Sequence, residues 1–188
     1  LPRLVRPTLP RLLPRSPTRS MRIVPIPVRQ DNYAYILMST PTQAGKRPQA
    51  VFVDVYDVPK VRDAAHKLGL QDNDVVGLLT THHHYDHAGG NKAFVKAFPH
   101  VPVWGGSDEC DAVSHIVRDG ESFDLFTESA PVRVHALATP CHTMDSICYF
   151  VEDAREDAVL AQTPLGFKEG ADGDKARGVF TGYVVQAL

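Results

Sequence analysis

Between Thr81 and Gly90 the chain reads Thr-His-His-His-Tyr-Asp-His-Ala-Gly-Gly, which places five potential metal ligands in the six positions from His82 to His87. The spacing of His82, His84, Asp86 and His87 is H-x-H-x-D-H. Imidazole nitrogens together with a carboxylate suit Zn²⁺ and its first-row neighbours, and a turn lets alternate side chains converge on one point. His83 and Tyr85 alternate with these ligands and are expected to point away from the metal. A solvated histidine-rich turn is the rival reading of such a tract, and the flanking sequence argues against it. The apolar run Val75-Val76-Gly77-Leu78-Leu79 precedes the cluster, and Ala93, Phe94, Ala97 and Phe98 follow it at helical spacing. A buried strand therefore delivers the cluster to its C-terminal edge, and a helix carries the chain away. The Gly89-Gly90 pair permits a close backbone approach in between.

The elements that must position this cluster are legible on both sides of it. Residues 22–28 and 33–38 alternate around the turn-prone Gln30-Asp31-Asn32 and predict two antiparallel strands. Thr40 to Pro48 reads as a polar loop. Ala50 to Val55 predicts a third strand, and Val58-Pro59 opens a helix whose Val61, Ala64, Ala65 and Leu68 share a face before Gly69 ends it. Beyond the second helix, Val101 to Trp104 predicts a short strand, and Ser107 with Asp108 and Glu109 a brief helix with acids at its positive end. Val132 to Leu137 alternates cleanly and leads into Thr139 to Thr143, and Ser146 to Val151 returns as a strand. Glu152 to Gly178 has no firm periodicity and reads as an exposed insertion before a last strand at Gly178 to Thr181. This order predicts an α/β chain of layered sheets and helices.

Taken together, Asp31-Asn32-Tyr33-Ala34-Tyr35, Val53-Asp54, Thr80 to Asn91, Ala138-Thr139-Pro140-Cys141-His142-Thr143, Ile147-Cys148-Tyr149-Phe150 and Val179-Phe180-Thr181-Gly182 resemble the metallo-β-lactamase fold, and within it the glyoxalase II branch, the hydroxyacylglutathione hydrolases. The H-x-H-x-D-H motif marks the superfamily, whereas the T-P-C-H-T and D-N-Y blocks favour glyoxalase II. The resemblance runs from about Met21 to Gly182. It implies an αββα sandwich (α/β, or α+β), here incomplete at its C-terminus, which leaves sheet edges exposed.

The resemblance also implies a ligand set: His82, His84 and His142 on one metal, and Asp86 and His87 on a second. Asp54 is implied as the carboxylate that orients those ligands from behind. The intact family holds two metals, typically zinc, with iron or manganese as alternatives. It uses a further bridging Asp after Phe-Thr-Gly, where this chain has Tyr183, and another His beyond the last residue, Leu188. A phenol with a reference pKa near ~10 is a poor substitute for a bridging carboxylate. One zinc is therefore expected here. Asp145-Ser146 stands where the family commonly has Gly-His. Gly182-Tyr183-Val184 can be encoded by a typical intron donor sequence, so Tyr183 to Leu188 is expected to be translated intron and the chain a truncated reading.

The reaction implied is metal-dependent hydrolysis of S-(2-hydroxyacyl)glutathione, chiefly S-D-lactoylglutathione, to D-lactate and glutathione, the detoxification of methylglyoxal. Asp86 is the expected proton acceptor, and the groups that hold glutathione are expected in the missing C-terminal region. Two alternatives stand beside it: a non-catalytic metal-binding remnant, and a mononuclear-iron sulfur dioxygenase on the same fold. Cys141, although next to a ligand, has no dedicated base and reads as a packed thiol.

Composition limits the remaining possibilities. A chain of 188 residues that is 43% hydrophobic makes one domain with a proper core. Leu1 to Ser20 holds five arginines and no acid, leaving 15 of the 20 basic residues against all 22 acidic ones in the rest. That acidic balance argues against nucleic acid as a partner. The leader has the composition of a mitochondrial transit peptide, though its five prolines oppose an amphipathic helix. The expected compartment is the cytoplasm or the mitochondrial matrix. No apolar run approaches the roughly 18 residues needed to span a membrane. Cys110, Cys141 and Cys148 lack C-x-x-C spacing and read as reduced thiols. The folded region is expected at 21–182, as a monomer whose small-molecule partner is a glutathione thioester.

Overall fold

A computed structural model describes residues 21–41, 45–126, 131–154 and 177–182. The Leu1–Ser20 leader, the Tyr183–Leu188 tail and most of the expected insertion, residues 155–176, lie outside the described residues.

Among the described residues, ten strands form two sheets. The first has the order β1 (Met21–Pro27), β2 (Tyr33–Ser39), β3 (Ala50–Val53), β4 (Val75–Leu79), β5 (Val103–Gly105) and β6 (His115–Ile116). The second runs β10 (Arg177–Phe180), β9 (Ile147–Asp153), β8 (Val132–Ala138) and β7 (Ser122–Leu125). β1, β2 and β3 pair antiparallel, whereas β3 to β6 pair parallel, with helices on the β3–β4 and β4–β5 crossovers. The α-helices among the described residues are α1 (Val58–Lys67), α2 (Tyr85–Ala88) and α3 (Asn91–Ala97).

Period-two alternation assigns each strand residue to one of two cores. In β2 and β3, Ala34, Ile36, Met38, Ala50 and Phe52 face the helices, while Leu37, Val51 and Val53 face the second sheet. Both faces are covered, so β3 reads as an unbroken apolar run. α1 starts on Asp57, whose Oδ1 accepts the Lys60 N–H at 3.0 Å, and buries Val58, Val61 and Ala65. α3 is held by Phe94, whose ring centroid lies 6.0 Å from that of Phe52 and 4.9 Å from that of Phe98. Such pairs add about 0.5–1.5 kcal/mol beyond area burial. The layers are thus helix, sheet, sheet, three of the four layers of the expected αββα sandwich, and among the described residues no helix covers the outer face of the second sheet.

Three expectations need correction. No helix forms at Ser107–Glu109; the segment is a turn in which Ser107 Oγ accepts the Glu109 N–H at 3.1 Å, and Ala112 at φ 59° stops any helical continuation. The strand expected at Val101–Trp104 instead spans Val103–Gly105, since Pro102 has no N–H to give to a ladder. Glu152 and Asp153 extend β9 rather than opening an insertion, with Glu152 in register against Arg177 and Arg133.

Candidate metal centre

β4 ends at Leu79, and the next residues leave the sheet under tight control. The Thr80 N–H donates to the Trp104 carbonyl at 2.8 Å, and Tyr149 Oη donates to the Thr80 carbonyl at 3.1 Å. Tyr149 is fully buried and its phenol is raised well above the usual range by that burial, so it stays a donor. The Ile147 N–H donates to the Thr81 carbonyl at 2.8 Å, tying the start of β9 to the histidine loop. His82 to His84 then cross the sandwich edge, and Asp86 and His87 ride on α2. The tight turn into α3 needs glycine at 90, where a Cβ would overlap the Val55 carbonyl.

His82, His84 and His142 converge: their donor atoms all lie within 4.8 Å of one another. Ring centroids are 4.9 Å apart for His82–His84, 5.1 Å for His82–His142 and 4.5 Å for His84–His142. His142 arrives on the β8–β9 loop, which is closed by Thr139 N–H to the Ser146 carbonyl at 2.9 Å and by Thr143 Oγ1 against Ser146 Oγ at 2.7 Å. Ser146, which stands where the family commonly has His, therefore shapes this loop rather than joining the donors.

Asp54 sets the tautomers. It is buried, ends the third strand at φ 53°, and accepts from the Thr81 N–H at 2.8 Å, from Thr81 Oγ1 at 2.8 Å and from His87 Nδ1 at 3.0 Å. The single Thr81 hydroxyl proton is committed to Asp54, so Thr81 Oγ1 accepts from His82 Nδ1 at 3.1 Å. The proton of neutral His82 is thereby placed on Nδ1 and the lone pair on Nε2. Burial, then the charge of His87, lowers the His82 pKa to about 4, so the ring is neutral at pH 7. Among the described residues, His82 Nε2 is the buried side-chain polar atom without a hydrogen-bond partner. A buried lone pair left unmatched costs free energy, and one aimed among two other imidazoles fits a divalent metal.

The second implied pair also comes together. His87 Nε2 lies 3.5 Å from Asp86 Oδ2, with its Nδ1 held by Asp54. Burial alone would lower the His87 pKa, but the Asp54 hydrogen bond and the two carboxylates raise it. Asn32 Nδ2 donates to the Asp86 carbonyl at 2.8 Å and to Asp86 Oδ2 at 3.3 Å. Among the described residues no third donor joins Asp86 and His87 in such a cluster. Gly182, at φ 70°, brings the end of the described chain against the centre: a Cβ there would sit 3.0 Å from His82 Nδ1. Tyr183 lies outside the described residues.

Sequence reasoning missed Thr81 and Tyr149 as supports, and gave Asn32 only as part of a block. The signal for Thr81 was its position between the strand and His82. His83 does point away from the three histidines' shared point, toward Asp145, with Nδ1 to Oδ1 at 2.8 Å.

A sandwich of two sheets that presents histidines from the C-terminal edge of a parallel strand and from a hairpin loop defines a class. The chain belongs to the metallo-beta-lactamase superfamily, whose family model matches residues 55–161. Its sequence relatives are hydroxyacylglutathione hydrolases, the glyoxalase II branch. It is 43% identical over 150 residues to a probable hydroxyacylglutathione hydrolase of Schizosaccharomyces pombe, covering 78% of this chain and 55% of the relative. It is 37% identical over 132 residues to the cytoplasmic hydroxyacylglutathione hydrolase of Arabidopsis thaliana, covering 70% and 47%. The chain thus spans about half the length of the curated relatives it matches. In fold it matches BJP-1, a subclass B3 metallo-beta-lactamase of Bradyrhizobium japonicum, with TM-score 0.56 at 17% identity over 89% of this chain and 64% of that one. No described helix is long and apolar enough to cross a membrane.

Proposed function

We propose that the chain carries the metal-binding half of a hydroxyacylglutathione hydrolase, acting on S-(2-hydroxyacyl)glutathione thioesters such as S-D-lactoylglutathione. The observation that carries the reading is the buried, unpartnered Nε2 of His82 facing His84 and His142. The relatives' names supply the substrate class. His82, His84 and His142 would hold the first divalent cation, zinc by donor type. Asp86 and His87 would contribute to a second. When bound, such a cation supplies Lewis acidity toward a thioester carbonyl and a water molecule.

The chain's own residues then have separate tasks. Thr81 and Asp54 keep the His82 proton on Nδ1. Asp54 turns the His87 ring so that Nε2 faces Asp86. Asn32 holds Asp86, leaving its carboxylate in place to accept a proton from the attacking water. We propose a monomer acting in the cytoplasm or the mitochondrial matrix.

The test is metal analysis and thioesterase assay of the full 188-residue chain. Bound zinc that is lost with His142→Ala, together with hydrolysis of S-D-lactoylglutathione that a chelator stops, is the expected result. Bound zinc without hydrolysis would instead favour a non-catalytic remnant, for which the two-donor second pair speaks. Iron with oxygen consumption on a glutathione persulfide would mark a sulfur dioxygenase and overturn the reading.

A further inference from the structure

Behind the histidine loop lies a second convergence of donors. His83 Nδ1 is 2.8 Å from Asp145 Oδ1 and 3.4 Å from Glu109 Oε2, and the three donors all lie within 4.8 Å of one another. Cys110 Sγ lies 3.2 Å from Asp145 Oδ2. The four residues come from three segments: the histidine loop, the turn after β5, and the loop that carries His142.

Two features set this cluster apart from surface acids near a histidine. The Asp145 side chain is only 2% exposed, yet its partners among the described residues are His83, Thr143 and Cys110, none of which carries a fixed positive charge. A buried carboxylate without lysine or arginine calls for another cation, since the cost of burying an uncompensated charge is large. The donor types then select among cations. An imidazole is foreign to Ca²⁺ and Mg²⁺, whereas one imidazole with two carboxylates suits zinc-class ions. Backbone packing keeps the pocket closed on one side, because Gly106 runs so near the Asp145 carbonyl that a Cβ would overlap it.

We propose that His83, Glu109 and Asp145 form a second binding site for a zinc-class divalent cation, separate from the His82–His84–His142 centre. Glu109, the exposed member, closes the site from solvent, and Cys110 and Asp145 form its floor. Occupancy would fix the histidine loop to the His142 loop from behind.

Cobalt(II) titration of the metal-stripped full-length His82→Ala/His84→Ala/His142→Ala variant, read by equilibrium dialysis, isolates this site from the three-histidine centre. One bound equivalent is expected. It should be lost with a further His83→Ala change and persist with a further His87→Ala change, which disables the Asp86–His87 pair. Glu109→Gln, an exposed change, should weaken cobalt binding in the triple variant by at least roughly tenfold. No bound equivalent in the triple variant, its loss with His87→Ala, or an unchanged affinity in Glu109→Gln would each overturn the proposal and leave a bare His83–Asp145 pair.

Discussion

Asp54 accepts three hydrogen bonds with one carboxylate, and two of them decide which nitrogen of a histidine is free. Asparagine at 54 keeps the size but replaces one acceptor oxygen by a donor, so one of the three bonds must fail. Asp54→Asn is expected to weaken zinc affinity by about 10- to 100-fold, measured by competition with a chromophoric chelator. Thr81→Val should weaken it through His82 alone, and an unchanged affinity in both would remove the tautomer argument. At this scale the sequence was legible where chemistry is carried by residue type: histidines at H-x-H-x-D-H, His142 in its Thr-Pro-Cys-His-Thr setting, and an acid at a strand end. Thr81 and Tyr149 were not legible. Their value comes from a hydroxyl meeting one particular atom across the fold, and a threonine or tyrosine in a strand-rich segment is ordinary.

At the scale of elements, the centre depends on how β4 hands over to α2 and α3. Gly90→Ala puts a methyl against the Val55 carbonyl, and overpacking of that kind costs about 1–3 kcal/mol. A urea midpoint lowered accordingly, with the slope unchanged, is the expected outcome. A second brace lies at the other end of β4, where Arg47 Nε and Nη2 donate to Asp74 at 2.9 and 2.7 Å and Arg47 Nη2 to the Gly69 carbonyl at 2.9 Å. Burial alone would raise the Asp74 pKa, but the Arg47 hydrogen bonds and the Gln71 N–H hold it below 3.8. A carboxylate with a depressed folded pKa contributes stability that is present above its unfolded value and lost as pH falls through the folded one. The wild type should therefore lose this contribution as pH falls below the ordinary carboxylate range, and Arg47→Ala, less stable at neutral pH, should lose less on acidification, as chemical denaturation across an acid series would show. The alternating strands β8 and β9 were legible because one face of each is apolar, and β1 and β2 because apolar runs flank a turn-prone Gln30-Asp31-Asn32. β6 is two exposed residues, and β7 buries only Leu125, so neither carries a periodic signal. The turn at Ser107 looked like a helix start because Ser, Asp and Glu serve both.

For the whole molecule, binding at the three histidines is linked to folding. A cation that binds the native chain and not the unfolded one stabilises it by about 2.7 kcal/mol at 100 times its dissociation constant. Zinc should raise the melting temperature of the wild type, and His142→Ala should abolish most of that rise in a thermal scan with and without chelator. The two-sheet architecture was legible only through the family resemblance, since period-two patterns do not say which strands share a sheet. The outer face of the second sheet and the β10 edge are open among the described residues. The His82 loop leaves the first sheet, whereas His142 leaves the second, and Ile147 and Tyr149 bind the two loops together. A nascent chain emerging from the ribosome with its first sheet complete therefore has two of the three imidazoles and no competent centre. Completion of the three-histidine centre must wait until β8 and β9 have been made and docked, which places its metallation late in the order of events.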